Sequence, residues 1–183
     1  RYHVEYLDPQ YDWQRLDAGP VVVLWHDRPR SSVEAAAELV TDRVSRIASV
    51  LGSRPDHKMK AVIVNNRSEA QRSFPLISQA ASDSSLYGGF AYGQFDVFVL
   101  SGLDADGMIH ELTHLFVDEA IDSPLAKIPA WLGEGIAMYF ENGTGGRDTE
   151  VANAAARRSL IPLHSMGTVP GKPSEVRQFY AQA

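Results

Sequence analysis

The sequence predicts an α+β domain, and three observations predict it. Short β-branched runs, Val21-Val22-Val23-Leu24-Trp25 and Lys60-Ala61-Val62-Ile63-Val64, alternate with helical periodicities in the first hundred residues. Beyond about residue 104 only helical patterns follow, and that order of strands and helices, then helices alone, is the α+β signature. Composition permits one sizeable core, since 44% of the 183 residues are hydrophobic and 22% charged.

The elements follow in chain order. Residues 1–20, rich in Asp, Tyr and Pro, read as an irregular or strand-like lead-in, and residues 21–183 as the domain proper. Val21 to Trp25 is a buried strand. Ser31 or Ser32 caps a helix that runs to about Leu51, with Val33, Ala37, Val40, Val44, Ile47 and Val50 at helical spacing and Gly52 as its stop. Residues 60–64 form a second strand, and residues 68–72 a short helix before Pro75. The Ser- and Ala-rich stretch 76–87 reads as a surface loop. Residues 88–92 and 95–100 pair as strands around Gly93. Asp104 or Asp106 caps the next helix, where acidic residues complement the helix dipole, and Pro124 lies beyond its end. Pro129 opens another helix and Asn142-Gly143 closes it. Residues 143–148 read as a flexible loop, 151–160 as helix, and 174–183 as the start of a last helix. There is no internal repeat and no low-complexity tract.

Composition also excludes some functions. A net charge of −6 and a pI near 5.5 argue against nucleic acid as a partner. The absence of Cys excludes disulfides, thiol catalysis and Cys-ligated metal, and fits any redox compartment. No apolar run reaches the length of about 18 residues that a membrane span needs. The chain begins at Arg1 rather than Met and reads as an excised or processed segment from which a targeting sequence could have been removed. Oligomeric state is not legible.

The chemistry lies in His110-Glu111-Leu112-Thr113-His114 and, further on, in Trp131-Leu132-Gly133-Glu134-Gly135. Residues four apart share a helix face, so two imidazoles there can reach one Zn²⁺. Glu111 is rotated off that axis, where a carboxylate can hold a water instead of the metal. Glu134, from a second helix, would complete a two-His, one-carboxylate set with an open fourth position, which is a catalytic rather than a structural zinc arrangement. The bland alternative for the pentapeptide alone is an amphipathic helix with His on its wet face. Against it, Glu134 sits between two glycines inside a helical run, each costing about 1 kcal/mol relative to Ala. Local rules are broken where function or close packing demands it. Gly133 and Gly135 are expected to let this helix approach the first.

Together these segments resemble the gluzincin metallopeptidases, most closely the bacterial peptidase MA-like group. The resemblance rests on residues 110–114 and on Pro129-Ala130-Trp131-Leu132-Gly133-Glu134-Gly135-Ile136-Ala137-Met138-Tyr139-Phe140-Glu141, and extends more loosely from about Val21 to Tyr180. The spacing to Glu134 is similar to that of thermolysin, and the Trp-Leu-x-Glu-Gly-x-Ala phrase to the aminopeptidase N branch. A metzincin would need Gly at 117 and His at 120, where this chain has Val117 and Ala120.

The resemblance implies a zincin-like fold, with a small twisted sheet above a cleft and two zinc helices beneath it. It implies Zn²⁺ held by His110, His114 and Glu134, with Glu111 as general base and peptide or protein as substrate. It implies Tyr180 as donor to the oxyanion, the alternative being a packing Tyr. It places residues 88–92 where the family keeps an edge strand that pairs with substrate backbone, so Gly89, Phe90 and Ala91 are the candidate substrate-binding residues; the alternative is an ordinary hairpin. Aminopeptidases of this clan carry Gly-x-Met-Glu-Asn there. Gly88-Gly89-Phe90-Ala91-Tyr92 has no acidic residue, which favours endopeptidase cleavage. Family members continue beyond the equivalent of Ala183, so the domain is expected to be C-terminally incomplete, and an extracytoplasmic location is implied.

Asp118 and Glu141 are candidates for the partner that fixes a His tautomer, each equally readable as a solvated helix charge. Tyr139 and Phe140 read as core, and His3, His26, His57 and His164 as surface or loop residues. Two rival functions remain open: a zinc hydrolase of a non-peptide amide or ester, and a binding module that keeps the fold without turnover.

Overall fold

The computed structural model describes residues 5–74, 88–121, 126–143 and 145–183. The expected loop at 76–87 and Pro124 lie outside them, as does His3. Among the described residues five strands form one mixed sheet: β1 (Gln14–Ala18), β2 (Val21–Trp25), β3 (Met59–Ile63), β4 (Gly89–Tyr92) and β5 (Val97–Leu100). Their spatial order is β1-β2-β3-β5-β4, with β2, β3 and β5 parallel and the two edge strands antiparallel to their neighbours. The strand-like part of the first twenty residues is thus β1, which covers one edge of β2. Every residue of β2 is buried, as expected of a strand inside the sheet.

Six α-helices accompany the sheet among the described residues: α1 (Arg30–Leu51), α2 (Arg67–Gln71), α3 (Ala105–Ala120), α4 (Ala130–Phe140), α5 (Arg147–Ala156) and α6 (Pro173–Gln182). The architecture is α+β. Val33, Ala37, Val40, Val44 and Ile47 of α1 are buried as their spacing predicts, and Gly52 ends the helix at φ 67°. Two details differ. Pro29, not a serine, stands at the N-cap, with no side-chain bond to the helix; its fixed φ suits the entry. Val50 is exposed, because the last turn of α1 runs past the core.

The α3 helix is positioned by its apolar side. Met108, Ile109, Leu112, Leu115 and Phe116 enter the main core beside Val21, Val23 and Trp25 of β2 and Ile47 of α1. Residues 110 and 114 fall on the opposite side of the 3.6-residue cycle, at the helix surface. Asp104 caps α3, accepting a 3.0 Å bond from Gly107 N–H. The α4 helix starts after Pro129, and its first amides are satisfied from outside: Ala130 N–H and Trp131 N–H donate to the Gly167 and Met166 carbonyls at 3.0 and 3.2 Å.

The end of α4 is set by α3. One Asp106 oxygen accepts from both the backbone N–H and the side-chain amide of Asn142, at 3.0 and 2.6 Å. The chain therefore leaves the helix after Phe140 with Glu141 extended, one residue before the expected stop. The expected flexible loop 143–148 is shorter than predicted: glycines 145 and 146 turn the chain at φ 57° and 84°, and α5 begins at Arg147. Tyr139, expected in the core, is 60% exposed; its hydroxyl accepts a hydrogen bond from Arg46, whose guanidinium also lies over the ring. Phe140 is buried as expected.

His26 is also corrected: it is 1% exposed, not a surface residue. Tyr11 stacks on its ring at 4.1 Å and Trp13 meets it edge-on at 4.8 Å, so the segment before β1 is what buries it.

Candidate metal centre

Because α3 and α4 run antiparallel, the start of one lies beside the end of the other, and Glu134 comes to face both histidines. His110 Nε2 lies 3.2 Å from Glu134 Oε2 and 3.2 Å from His114 Nε2, and His114 Nε2 lies 3.6 Å from Glu134 Oε2. All ligand atoms of the trio fall within 4.8 Å of one another. Ligands at zinc distances on a tetrahedral ion stand about 3.3 Å apart. The three edges bracket that value, so the donor set fits one zinc ion with a position left over.

Glu141 supports the triangle. Its Oε1 lies 2.8 Å from His110 Nδ1, and its Oε2 accepts from Arg147 Nη1 at 2.8 Å. Arg147 in turn donates to the Gly143 carbonyl at 2.9 Å. Of the two proposed tautomer partners, the structure therefore selects Glu141. Arg147 escapes a reading of the sequence because it meets Glu141 across a turn rather than at helical spacing, and no local signal marks it.

The electrostatics follow from three carboxylates around two imidazoles. Burial alone would depress the His110 pKa, but hydrogen bonds to Glu134 and Glu141 outweigh it and raise it to about 10. Burial likewise pushes the Glu134 pKa up, and the His110 and His114 hydrogen bonds outweigh it and hold it at about 2. In the metal-free protein a proton on His110 thus occupies the charge role a cation would take. Glu111 is raised above the ordinary carboxylate value, chiefly because it is buried.

Glu111 lies under β4. A Cβ built on Gly89 would come 2.7 Å from Glu111 Oε1 and 2.9 Å from its Cγ, and would also collide with Leu100. The missing side chain at Gly89 is the room in which the carboxylate sits. The glycines beside Glu134 act otherwise than expected. A Cβ on Gly133 would meet Ile128, and one on Gly135 would meet the backbone of Ala183. Neighbours of Glu134 are rotated about 100° from it, so they face sideways, and Gly135 admits the end of α6 rather than α3.

Two cavities flank His110 and Glu111. One, of about 420 Å³, is bordered by Gly88, Leu103, Asp104, Asp106 and Glu141. The other, of about 250 Å³, is bordered by Phe90, Ala91, His114, Asp118 and Glu134. Gly89 and Tyr180 line both, so α6 brings Tyr180 to the junction of the cleft. Strand β4 is one of the two edge strands of the sheet, and the one beside the cleft. Ser101 N–H bonds to the Gly88 carbonyl, and Gly89 opposes Leu100 in register. Antiparallel alternation then turns the backbone groups of Phe90 inward to Val99 and those of Gly89 and Ala91 outward.

A family model described as the Peptidase MA superfamily matches residues 39–182. No curated protein and no solved structure matches the chain.

Two outcomes are expected from this geometry. Gly89→Ala should destabilise the metal-free protein by about 1–3 kcal/mol through overpacking, and adding Glu111→Ala should restore part of the loss; urea unfolding of the single and double variants checks this, and strictly additive losses would contradict it. The second concerns protons. The folded His110 pKa lies above its unfolded value of about 6.5, so its stabilisation is complete below that pH and is lost as pH rises through about 10. Glu134 is depressed, so its stabilisation is present above about 4.5 and lost as pH falls through about 2. Zinc must displace the His110 proton, so its affinity should climb about tenfold per pH unit between 6 and 8. Calorimetry in buffers of different ionisation enthalpy reads the released proton, and a pH-independent affinity would refute the displacement.

Proposed function

From the premise that the chain belongs to the Peptidase MA superfamily, we propose that it is a zinc-dependent endopeptidase that hydrolyses internal peptide bonds. The observation that carries the reading is the coincidence of a zinc-sized ligand triangle with a buried carboxylate, Glu111, on the same helix. Endo-cleavage is supported by the cleft, which continues on both sides of His110 and Glu111.

His110 and His114, neutral at their Nε2 atoms, and the Glu134 carboxylate would hold the ion. When bound, zinc polarises a carbonyl oxygen and lowers the pKa of water toward about 7. Glu141 accepts the Nδ1 proton of His110, which leaves Nε2 as the ligand atom and fixes the ring plane. Arg147 neutralises the other Glu141 oxygen and holds that carboxylate in place. Glu111 takes a proton from the attacking water on its carboxylate and delivers it to the leaving nitrogen. Its raised pKa suits both proton transfers, because the carboxylate must accept a proton and give it up within one turnover. Tyr180, from the far wall of the cleft, donates its hydroxyl proton in a hydrogen bond to the developing oxyanion. The outward N–H and C=O groups of Gly89 and Ala91 align an extended substrate by strand addition along the cavity that residues 89–91 border.

The two glutamates are separable by experiment. Glu111→Gln keeps shape and should retain zinc while losing nearly all peptide cleavage. Glu134→Ala removes a ligand and should lose zinc affinity, together with the thermal stabilisation that zinc gives the parent. Zinc content, melting temperature and cleavage of both variants decide; if Glu111→Gln loses the metal and Glu134→Ala keeps it, the assigned roles are wrong. Tyr180→Phe should lower kcat by ~10²–10³ with zinc content unchanged. A kcat near that of the parent would return Tyr180 to a packing role.

A further inference from the structure

We propose that Gln182 is the positioning residue for Tyr180: its side-chain amide locks α6 to the main chain at Ile161 and so sets how the Tyr180 hydroxyl meets the cleft; this rests on the oxyanion-donor role proposed above. The segment 159–167, which follows α5, is a strap that touches two helices of the site. At its near end Ile161 N–H donates to Gln182 Oε1 at 3.0 Å, and Gln182 Nε2 donates back to the Ile161 carbonyl at 3.0 Å. At its far end the carbonyls of Met166 and Gly167 accept from the first amides of α4, the helix that carries Glu134. One strap thereby holds both the helix of a metal ligand and the helix of the oxyanion donor. The Gln182 amide is fully used. Its oxygen also accepts from Gln178 Nε2 at 2.9 Å, and its nitrogen stands 3.8 Å from Met166 Sδ. Gln178 reaches the strap as well, donating to the Ser159 carbonyl. A side chain that satisfies the N–H and the C=O of one residue admits a single register.

Apolar packing alone does not set that register. Val176 and Phe179 bury α6 against the body of the protein. Burial is non-directional, so it leaves a helix free to slide and roll, and directional bonds remove that freedom. The helical cycle fixes what those bonds control. Gln178 and Gln182 each lie two residues from Tyr180, about 200° around the helix. The glutamines therefore face the strap while Tyr180 lines both cavities beside His110 and Glu111. Rolling α6 away from the strap carries the hydroxyl along the cleft, so bonds on the back of the helix decide the position of an atom on its front. Gly135 completes the fit: the Ala183 backbone lies where a Cβ on Gly135 would stand, so α6 meets α4 main chain to main chain, one residue from Glu134.

The test uses zinc-loaded protein and two variants. Gln182→Glu keeps the acceptor for Ile161 N–H but, as a carboxylate, cannot donate to the Ile161 carbonyl; Gln182→Met keeps the length of the side chain and removes both bonds. Each should lower kcat for a peptide about tenfold, with KM and zinc content within about twofold of the parent. In a Tyr180→Phe background the same changes should cost nothing further, because no hydroxyl is left to misplace. A loss of packing alone would lower kcat equally in both backgrounds. A readout without turnover separates this inference from the peptidase reading. Protein made with fluorotyrosine gives a fluorine NMR resonance for residue 180, assigned by its absence from Tyr180→Phe. That resonance should move in Gln182→Glu and Gln182→Met while those of the other tyrosines stay. A moved resonance in a protein that cleaves nothing would keep the positioning role of Gln182 and sink the peptidase reading. An unmoved resonance, or kcat losses equal in the two backgrounds, would overturn the role of Gln182.

Discussion

The antiparallel seam between α3 and α4 is the constraint on which the site depends. It brings two imidazoles and a carboxylate into one triangle, with edges of 3.2 to 3.6 Å, on a partly buried surface between two helices whose other sides are apolar. Polar atoms so placed must find partners, since burying them unpaired costs several kcal/mol. The seam supplies those partners in sequence. Asp106 draws Asn142 across from α4, which ends that helix at Phe140. The early exit swings Glu141 under His110, and Arg147 answers the second oxygen of Glu141. One carboxylate at the start of α3 thus decides where a second carboxylate, far along the chain, can act.

The sheet contributes the opposite wall by leaving things out. Gly89 makes room for Glu111, and Gly93 makes room for Asp118. Each glycine lies where strand β4 or its turn crosses over α3, so the strand can settle on the helix without displacing the carboxylates that line the cleft. The same strand is an edge, which ordinarily invites unwanted pairing. Here the residues with outward backbone groups, Gly89 and Ala91, carry the smallest side chains of the strand, which leaves those groups open to approach. One feature thereby serves packing on the inner side and access on the outer.

How much of this is legible in the sequence depends on the range of each interaction. The α+β class, the burial of α1 and the ligand trio are legible, because they rest on periodicity and on i,i+4 spacing within one helix. Asp104 as N-cap and Pro129 as helix opener are legible for the same local reason. The partner of His110 is not decidable that way: Asp118 and Glu141 are equivalent by local rules, and only the register of α4 against α3 distinguishes them. Gly133 and Gly135 mislead because a helix places adjacent residues on different sides, so a glycine next to a ligand does not face what the ligand faces. His26 misleads because its cover, Tyr11 and Trp13, comes from a segment whose path the sequence does not define. Tyr139 misleads for the converse reason, since an apolar helix of eleven residues still has one side that nothing covers.

A proton on His110 and a bound zinc ion would solve the same electrostatic problem in different ways. Glu134 and Glu141 both face His110, and Arg147 meets only the far oxygen of Glu141. Without an ion the charge between them is the proton on His110; an ion held there would require His110 to be neutral. The exchange would ask little of the geometry, because the triangle already has edges close to those of a tetrahedral ligand set. Glu141 would stay on His110 Nδ1 in either case, since that nitrogen would bear a proton in both. The ring is therefore held at its rear atom while its front atom changes partner. A site built this way is organised before the ion arrives, and the organisation comes from the Asp106–Asn142 and Glu141–Arg147 contacts rather than from the ligands themselves. Those contacts lie outside the five-residue motif, which is why the motif alone marks the chemistry without containing what holds it in place.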